Sequence, residues 1–390
     1  MKRYAIVLMF CAFVTSAHAE YSGAPYLEIW PDARSTALGG AMTGLVDDGY
    51  ATYWNPGGLG FQRGIGIAFT GANWLPGLWP GMFLGYGSAN YGFTNVPAKG
   101  MNLTAGLNWD CLNTGRAKTL NEEGESIGVF TVTDQAIGLH AGIADERMGL
   151  GLSLKYIVAN QIVWLVGEPQ AFSPGRAVGL DLGGLLKLTR SVSLGASIDN
   201  IGTDLVYNNP YGDHAFLPLM VHLGIAGSPL DTKSYRIRLL ADVSQILPYG
   251  GNADSFGHEL HDELRDAWKS LGVEATCKRL FSWFALSGRV GYFEDVSGVR
   301  GGFVFGRDSS ARRSLSIIDV FSRSKRHLAG DSLRSIGLCY GFGLGYKDYV
   351  RLDVSDDHLI YGFPTSNIKF SLTVRDLLGF ISDLKAKPRL

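Results

Sequence analysis

Beyond residue 60 the chain alternates large apolar side chains with small or polar ones over stretches of about ten residues. In the clearest stretch every second residue is large and apolar: Ile368, Phe370, Leu372 and Val374. The residues between them are small, hydroxylated or charged. Because successive side chains of a β-strand point to opposite faces, this period of two predicts strands with one apolar face.

The same pattern predicts fifteen candidate strands, separated by turns rich in Gly, Asn, Asp and Pro. They cover residues 64–71, 82–91, 101–109, 134–144, 148–158, 176–187, 192–200, 218–227, 235–245, 268–277, 283–292, 298–305, 335–345, 348–354 and 368–375. Ser126 to Val132 is a possible sixteenth. Single-chain bacterial barrels have even strand numbers, and we favour fourteen. The connections Asn113 to Gly124, Ile246 to Asp266 and Arg307 to Asp331 are expected to be surface loops.

Two architectures explain strands with one apolar face. A soluble sandwich buries that face in its core, whereas a membrane barrel turns it to lipid and its polar face to the lumen. Strand length, Trp and Tyr near strand ends, and charges on the polar faces favour the barrel. Those charged positions are Lys155, Arg236, Arg238, Asp242, Arg351 and Asp353.

The first residues predict export from the cytoplasm. Lys2 and Arg3 precede an apolar stretch of about eleven residues, and Ala17-His18-Ala19 forms a cleavage site before Glu20. A helix needs about twenty apolar residues to cross a bilayer, so a retained anchor is the weaker interpretation. We therefore expect a signal peptide over residues 1–19, followed by a protein of the bacterial outer membrane.

Composition agrees with a membrane barrel. The 390 residues include 52 Gly, and only 18% are charged, whereas interior glycines destabilise long helices. No window after residue 20 has the 18 consecutive apolar residues of a helical span. Without Lys2 and Arg3, 33 basic residues face 36 acidic ones, so the mature net charge of −3 suggests no nucleic-acid partner.

The segment before the first strand differs from the rest. Residues 36–45 are too small and Gly-rich for a good isolated helix, and residues 55–58 form an Asn-Pro-Gly-Gly turn cluster. We expect residues 20–60 to pack inside the barrel of residues 61–376, with Arg34 near Asp47 or Asp48. The alternative is an ordinary periplasmic turn.

This segment resembles the N-terminus of the PorV/PorQ family. The matching residues, in order, are Pro31, Asp32, Ala33 and Arg34, then Gly39, Gly40 and Ala41, then Asp47 and Asp48, then Tyr53, Trp54, Asn55 and Pro56. The resemblance implies a FadL-like all-β fold: an antiparallel transmembrane barrel of fourteen strands with the N-terminal segment plugging the lumen. It also implies a non-catalytic role in type IX secretion, as a carrier that accepts secreted proteins by their C-terminal β-domains and works with other secretion components.

The wider FadL group shares the Asn-Pro turn and passes hydrophobic small molecules through the barrel. A FadL-like transporter is therefore the alternative function. A carrier should expose apolar loop residues, for which residues 215–217, 246–249 and 359–364 are candidates. A transporter should have an apolar lumen, against which the inward charges argue.

No enzyme, metal site or cofactor is expected. The cluster from His258 to Glu263 lacks the spacing of a zinc-binding helix, and the chain has no G-x-S-x-G serine elbow. The mature chain has three scattered cysteines, Cys111, Cys277 and Cys339, which match no zinc pattern. Residues 377–390 form a tail after the last strand, in which Leu377, Leu378, Phe380, Ile381 and Leu384 fit one side of a short helix.

Overall fold

A computed structural model describes most of the chain beyond the predicted signal peptide. The described residues are 23–76, 81–96, 98–120, 126–162, 172–207, 214–247, 267–280, 283–295, 300–301, 303–305, 313–315, 333–335, 337–357 and 366–385. The predicted signal peptide and the His258 to Glu263 cluster lie outside these ranges.

Fourteen strands form a closed antiparallel barrel. Each pairs with its neighbours in sequence, and β14 pairs with β1 from Ala72↔Lys369 to Ile67↔Val374, which closes the wall. The fourteen-stranded barrel predicted from the sequence is confirmed. The strands are β1 Gly64–Asn73, β2 Phe83–Thr94, β3 Asn102–Leu120, β4 Ser126–Ala144, β5 Met148–Ile162, β6 Phe172–Lys187, β7 Val192–Gly202, β8 Met220–Asp231, β9 Tyr235–Ile246, β10 Trp268–Leu280, β11 Phe284–Asp295, β12 Leu338–Tyr346, β13 Val350–Asp357 and β14 Lys369–Val374.

The apolar faces of these strands point outward. In β12, Leu338, Phe342 and Leu344 are 43–61% exposed, whereas Cys339 between them is fully buried. Similar exposed side chains surround the barrel, including Phe69, Leu107, Leu139 and Phe370. A wall that presents its apolar face outward and its polar face inward is typical of a membrane-spanning barrel.

The two ends of the barrel differ in their connections. Short turns at residues 145–147, 188–191, 232–234 and 347–349 define one end, called here the turn end. Long connections between β7 and β8, β9 and β10, and β11 and β12 define the other, called here the loop end. In barrels of this kind short turns face the periplasm, so we expect the turn end to be periplasmic.

The connection predicted from Asn113 to Gly124 is wrong for most of its length. β3 continues to Leu120 and pairs with the start of β4, so the possible strand at Ser126 to Val132 is part of β4. The register shifts between Asn113 and Arg116, and Gly115 there has a φ of +74°. This bulge interrupts the period of two, which explains why the pattern indicated a loop.

The candidate strand at residues 298–305 is also wrong as a wall strand. Arg300–Gly301 pairs antiparallel with the last two residues of β11. Phe303–Phe305 pairs with Arg313–Leu315 and Leu333–Ser335 in a separate three-stranded sheet. β11 pairs directly with β12, which leaves no place between them in the wall. Removing this candidate from the fifteen leaves the fourteen observed.

Residues 23–62, called here the plug, lie inside the lumen. The plug contains 3-10 turns at Pro25–Glu28 and Pro56–Phe61 and two short helices, α1 Ala33–Ala37 and α2 Ala51–Trp54. A third helix, α3 Leu377–Lys385, follows β14. In the described part of the chain no helix is long and apolar enough to cross a bilayer.

Candidate functional site

Asp32 joins the two helical parts of the plug. It caps α1, because its Oδ2 accepts a hydrogen bond from the Ser35 amide at 2.8 Å, and its Oδ1 accepts one from Trp54 Nε1 at 3.1 Å. The Ala33 amide donates to Ser371 Oγ on β14 at 2.8 Å. Burial and the nearby Asp48 carboxylate raise the pKa of Asp32 despite these donors. Asp32 therefore helps to fix the plug motif as one unit against the wall.

Arg34 is the centre of a buried ion network. Its Nη1 lies 2.5 Å from Asp47 Oδ1 and 3.3 Å from Asp48 Oδ2, so it contacts both carboxylates suggested by the sequence. On its other side, Nε and Nη2 donate to the two oxygens of Glu274 on β10 at 3.0 and 3.2 Å. One fully buried guanidinium therefore links the plug to the wall through a bidentate pair.

Arginines of the wall complete this network. Glu274 also accepts hydrogen bonds from Arg238 at 2.8 Å and Arg289 at 2.7 Å. Asp353 bridges Arg289 and Arg351, and Arg351 returns to the plug through Asp48 at 2.6 Å. The ion network comprises Arg34, Asp47, Asp48, Arg238, Glu274, Arg289, Arg351, Asp353 and Arg375.

Asp47 is charged within this network. Burial by itself would raise its pKa, but the guanidinium groups of Arg34, Arg375 and Arg238 outweigh burial and hold the pKa of Asp47 well below its ordinary value. The carboxylate is therefore ionised at neutral pH, and it attracts arginines from both the plug and the wall.

Backbone groups of the plug also bind the wall directly. The Met42 and Thr43 amides donate to Asp242 Oδ2 on β9 at 2.8 and 2.7 Å. Asn55 Nδ2 donates to the Gly184 carbonyl at 2.9 Å on β6. The inward Asp242 therefore serves plug attachment.

Glycines allow the plug backbone to approach the wall. Gly39 and Gly40 follow α1 with φ values of +66° and +81°, a conformation that favours glycine. A Cβ on Gly195 of β7 would lie 1.9 Å from the Thr43 carbonyl oxygen, and one on Gly291 of β11 would lie 2.1 Å from the Gly39 nitrogen. The small residues of the inward faces therefore make room for the plug.

Nearer the loop end the plug and wall meet through aromatic side chains. Trp30 packs edge-on against Phe293 with ring centroids 4.7 Å apart, and Trp268 packs against Phe293 at 5.8 Å. Trp54 and Tyr53 extend this group from the plug side, with ring centroids 5.1 Å apart. These five residues, called here the aromatic cluster, line a cavity of about 40 Å³.

Polar groups from the wall complete the lining of this cavity. Lys155 pairs with Asp181 at 2.8 Å, and His222 Nε2 lies 3.1 Å from Asp199 Oδ2. His222 Nδ1 and Ser244 Oγ are 2.7 Å apart, which gives a serine–histidine–aspartate sequence across β9, β8 and β7. The cavity of about 40 Å³ leaves little room for an ester substrate beside Ser244, and Asp199 Oδ1 has no hydrogen-bond partner among the described residues.

The residues that carry the family resemblance all lie in the plug, and most of them touch one another or the wall. Helix α1 starts at Ala33 and Arg34, directly after Pro31 and the capping Asp32, and Gly39 and Gly40 follow it. Arg34 binds Asp47 and Asp48. Trp54 contacts Asp32, whereas Asn55 and Pro56 contact the wall.

Sequence reasoning missed several partners of the plug. Glu274 and Arg289 were not recognised as lumen residues, although both occupy inward positions of their strands. Glu274 follows the outward Val273, and Arg289 precedes the outward Val290. Their alternation with outward apolar residues was a usable signal. Trp268 and Phe293 had no such signal, because aromatic residues occur on both faces of a barrel strand.

Among known proteins, solved structures resemble this chain in fold. No protein-family model matches the chain, and no curated protein matches its sequence. A solved structure described as a TodX monoaromatic hydrocarbon channel with the S2 deletion is similar at a TM-score of 0.50 and 14% identity, covering 88% of this chain and 97% of that one. The barrel has a FadL-like fold.

Two other solved structures are similar at lower TM-scores. The toluene transporter TodX of P. putida has a TM-score of 0.47 and 14% identity, covering 89% of this chain and 98% of its own. A FadL homologue from Pseudomonas aeruginosa has a TM-score of 0.42 and 11% identity, covering 88% and 98%. At these identities the likeness concerns the fold alone.

Proposed function

We propose that this protein is an outer-membrane transporter of small hydrophobic molecules. The observation that carries the proposal is the aromatic cluster, which lines a cavity between plug and wall inside the lumen. Sites for small molecules are typically concave and lined by aromatic side chains with a few placed polar groups. The cavity has this composition, with Lys155, Asp199 and His222 as its polar groups.

The inward charges are compatible with this function. From the sequence alone, inward charges such as Arg351 and Asp353 indicate a polar lumen that disfavours hydrophobic cargo. In the barrel Arg351 and Asp353 pair with each other, and both belong to the ion network that holds the plug. Lys155, another of these charges, lines the cavity of the aromatic cluster but is paired with Asp181 at 2.8 Å.

The solved structures of this fold include proteins described as a toluene transporter and a monoaromatic hydrocarbon channel. Because their sequence identity to this chain is only 14%, a hydrocarbon substrate for this chain is part of the proposal. A cavity of about 40 Å³ is smaller than the roughly 150 Å³ that holds a benzene ring. Passage therefore requires the plug to shift away from the wall.

Binding of an aromatic hydrocarbon tests this proposal. We expect toluene or a similar compound to change the tryptophan emission of the purified barrel in a saturable way. The variant Phe293→Arg, which places a charge in the aromatic cluster, should lose this response, whereas Phe69→Arg on the lipid face should keep it. Uptake by cells that carry the barrel should follow the same order. No saturable response in the unmodified protein would contradict the proposal.

A carrier of secreted proteins is the second candidate, and the resemblance of residues 31–56 to the PorV/PorQ family favours it. Its candidate gripping surface at residues 215–217 is only partly exposed: Leu217 is buried, and the Phe216 carbonyl accepts a hydrogen bond from the Gly23 amide of the plug at 2.7 Å. Residues 359–364, and 248–249 of the second candidate loop, lie outside the described residues.

The partners of the barrel distinguish the two candidates. A carrier purified from its native membrane should retain secreted proteins that share a C-terminal β-domain, and its deletion should remove them from the cell surface. A transporter should be recovered without them, and its deletion should lower hydrocarbon uptake.

A further inference from the structure

Helix α3 is attached to the outside of the barrel rather than across its mouth. Phe380 packs against Tyr346 and Tyr349, with ring centroids 6.1 and 5.8 Å apart. Tyr346 ends the outward apolar face of β12, because it continues the alternation of Phe342 and Leu344. The helix therefore begins where the lipid-facing surface meets the turn end.

Two polar contacts hold the helix in this place. Asp376 caps its first turn, since its Oδ1 accepts a hydrogen bond from the Gly379 amide at 3.1 Å. Asp383 forms an ion pair with Lys347 in the turn between β12 and β13. The orientation of α3 around its own axis is thereby defined, with Phe380 and Asp383 toward the barrel.

The remaining surface of α3 carries an uncovered apolar stripe. Leu378, Ile381 and Leu384 are 52%, 39% and 58% exposed, and their spacing of three places them along one side of the helix. Ser382 is exposed beside this stripe. Three large apolar side chains on a nine-residue helix would be poorly placed in water.

The surroundings of α3 have the composition of a membrane interface. Trp283 and Phe284 lie beside Tyr346 at the same end of the wall, with ring centroids 6.3 and 5.5 Å away. Trp and Tyr side chains at strand ends are typical of the headgroup region. Lys385 is exposed, and the sequence continues with Lys387 and Arg389 and no acidic residue.

We propose that α3 is an in-plane membrane anchor that seats its apolar stripe among the phospholipids of the leaflet at the turn end. The stripe continues the lipid-facing surface of β12 past the end of the strand, and the basic residues after it suit anionic headgroups. Amphipathic helices with an apolar side and a basic end lie in the interface in this way.

Spin-label accessibility tests the proposal on the folded, full-length barrel. In a background with Cys111, Cys277 and Cys339 replaced by alanine, single cysteines are placed by Ile381→Cys on the stripe and Ser382→Cys beside it. The labelled protein is studied in nanodiscs of phosphatidylethanolamine and phosphatidylglycerol. Collisions with oxygen, which enters lipid, are compared with collisions with a water-soluble nickel chelate.

We expect the oxygen-to-nickel collision ratio to be several-fold higher at position 381 than at 382, and Leu378→Cys to behave like 381. Equal ratios at 381 and 382 would mean that the stripe faces water and would overturn the proposal. Protection of 381 from both reagents, with spin–spin broadening between copies, would identify a second copy as the occupant and would also overturn it. Heat-dependent migration on gels checks that each variant is folded.

Discussion

The plug meets the barrel wall through opposite chemistry in two regions. Around Arg34 it is held by alternating charges, with carboxylates and guanidinium groups from plug and wall in direct contact. Around Trp30 it is held by ring packing beside a small cavity. Both regions leave unfilled space, about 80 Å³ beside the ion network and about 40 Å³ beside the rings, so they differ in the chemistry of the contact.

The two kinds of contact differ in how easily they let the plug move away from the wall. Removing one partner of a buried ion pair leaves an uncompensated charge and costs about 3–5 kcal/mol, so the ion network resists partial opening. An aromatic pair contributes about 0.5–1.5 kcal/mol beyond the area it buries, and rings can repack around a guest. We therefore expect the ion network to act as the fixed attachment and the aromatic cluster as the movable part.

The largest effect should come from breaking the ion network. Arg34→Met removes a guanidinium that contacts Asp47, Asp48 and Glu274 together, and this loss of a buried ion-pair partner should weaken plug attachment by about 3–5 kcal/mol. Hydrogen exchange of residues 33–48 measures this loss. The control is Arg236→Met, because Arg236 forms only a partly exposed pair with Asp231 and should cost under about 1 kcal/mol. Equal exchange in both variants would remove the contrast between the regions.

A smaller effect is expected at the link between the two regions. Trp54→Phe removes the indole donor to Asp32, which leaves Asp32 Oδ1 without that partner, and should cost about 1–3 kcal/mol. Exchange should rise in α1 and α2 together. Trp283→Phe, a change at an exposed tryptophan outside the lumen, serves as control and should leave plug exchange unchanged. A rise confined to α2 would mean that Asp32 does not join the two helices.

A methyl group added where plug and wall pack closely should destabilise the plug by about 1–3 kcal/mol, the range for overpacked cores. Gly195→Ala places a methyl group 1.9 Å from the Thr43 carbonyl oxygen, whereas Gly288→Ala on β11 meets nothing within 4 Å. We expect faster exchange of the plug around Thr43 in the first variant alone, by mass spectrometry. Unchanged exchange in Gly195→Ala would show that the plug can retreat from the wall without cost.

The smallest effect on plug stability near neutral pH should come from protonation of Asp47. Its pKa in the folded protein is lowered from an ordinary value of 3.8, so its stabilising charge is complete above that value and is lost as the pH falls below it. In Asp47→Asn this contribution is absent at every pH, whereas Asp32, whose pKa is raised, titrates in both proteins. The pH profile of tryptophan emission should therefore be the same in the two proteins from pH 7 to 5 and differ only below about 3.8. A difference between the two profiles that appears between pH 5 and 7 would contradict the assignment.

The errors of sequence interpretation arose where pairing depends on distant residues. The bulge at Asn113–Arg116 hides five further residue pairs, from Arg116↔Thr131 to Leu120↔Ser126, behind a local break in alternation. The stretch 298–305 alternates well, yet β12 takes the place beside β11. Alternation indicates that a segment can be a strand, but the partner of that strand is decided by the closure of the wall.

What the sequence determined by itself was the wall and the composition of the plug. Period-two alternation depends only on the geometry of an extended chain, so it indicated all fourteen wall strands, with one wrong candidate at 298–305, and inward charges such as Lys155 and Asp353. The tertiary structure alone decided which charges meet and which rings enclose the cavity. Arg34 and Glu274 are 240 residues apart in sequence, and only closure of the barrel around the plug brings them together.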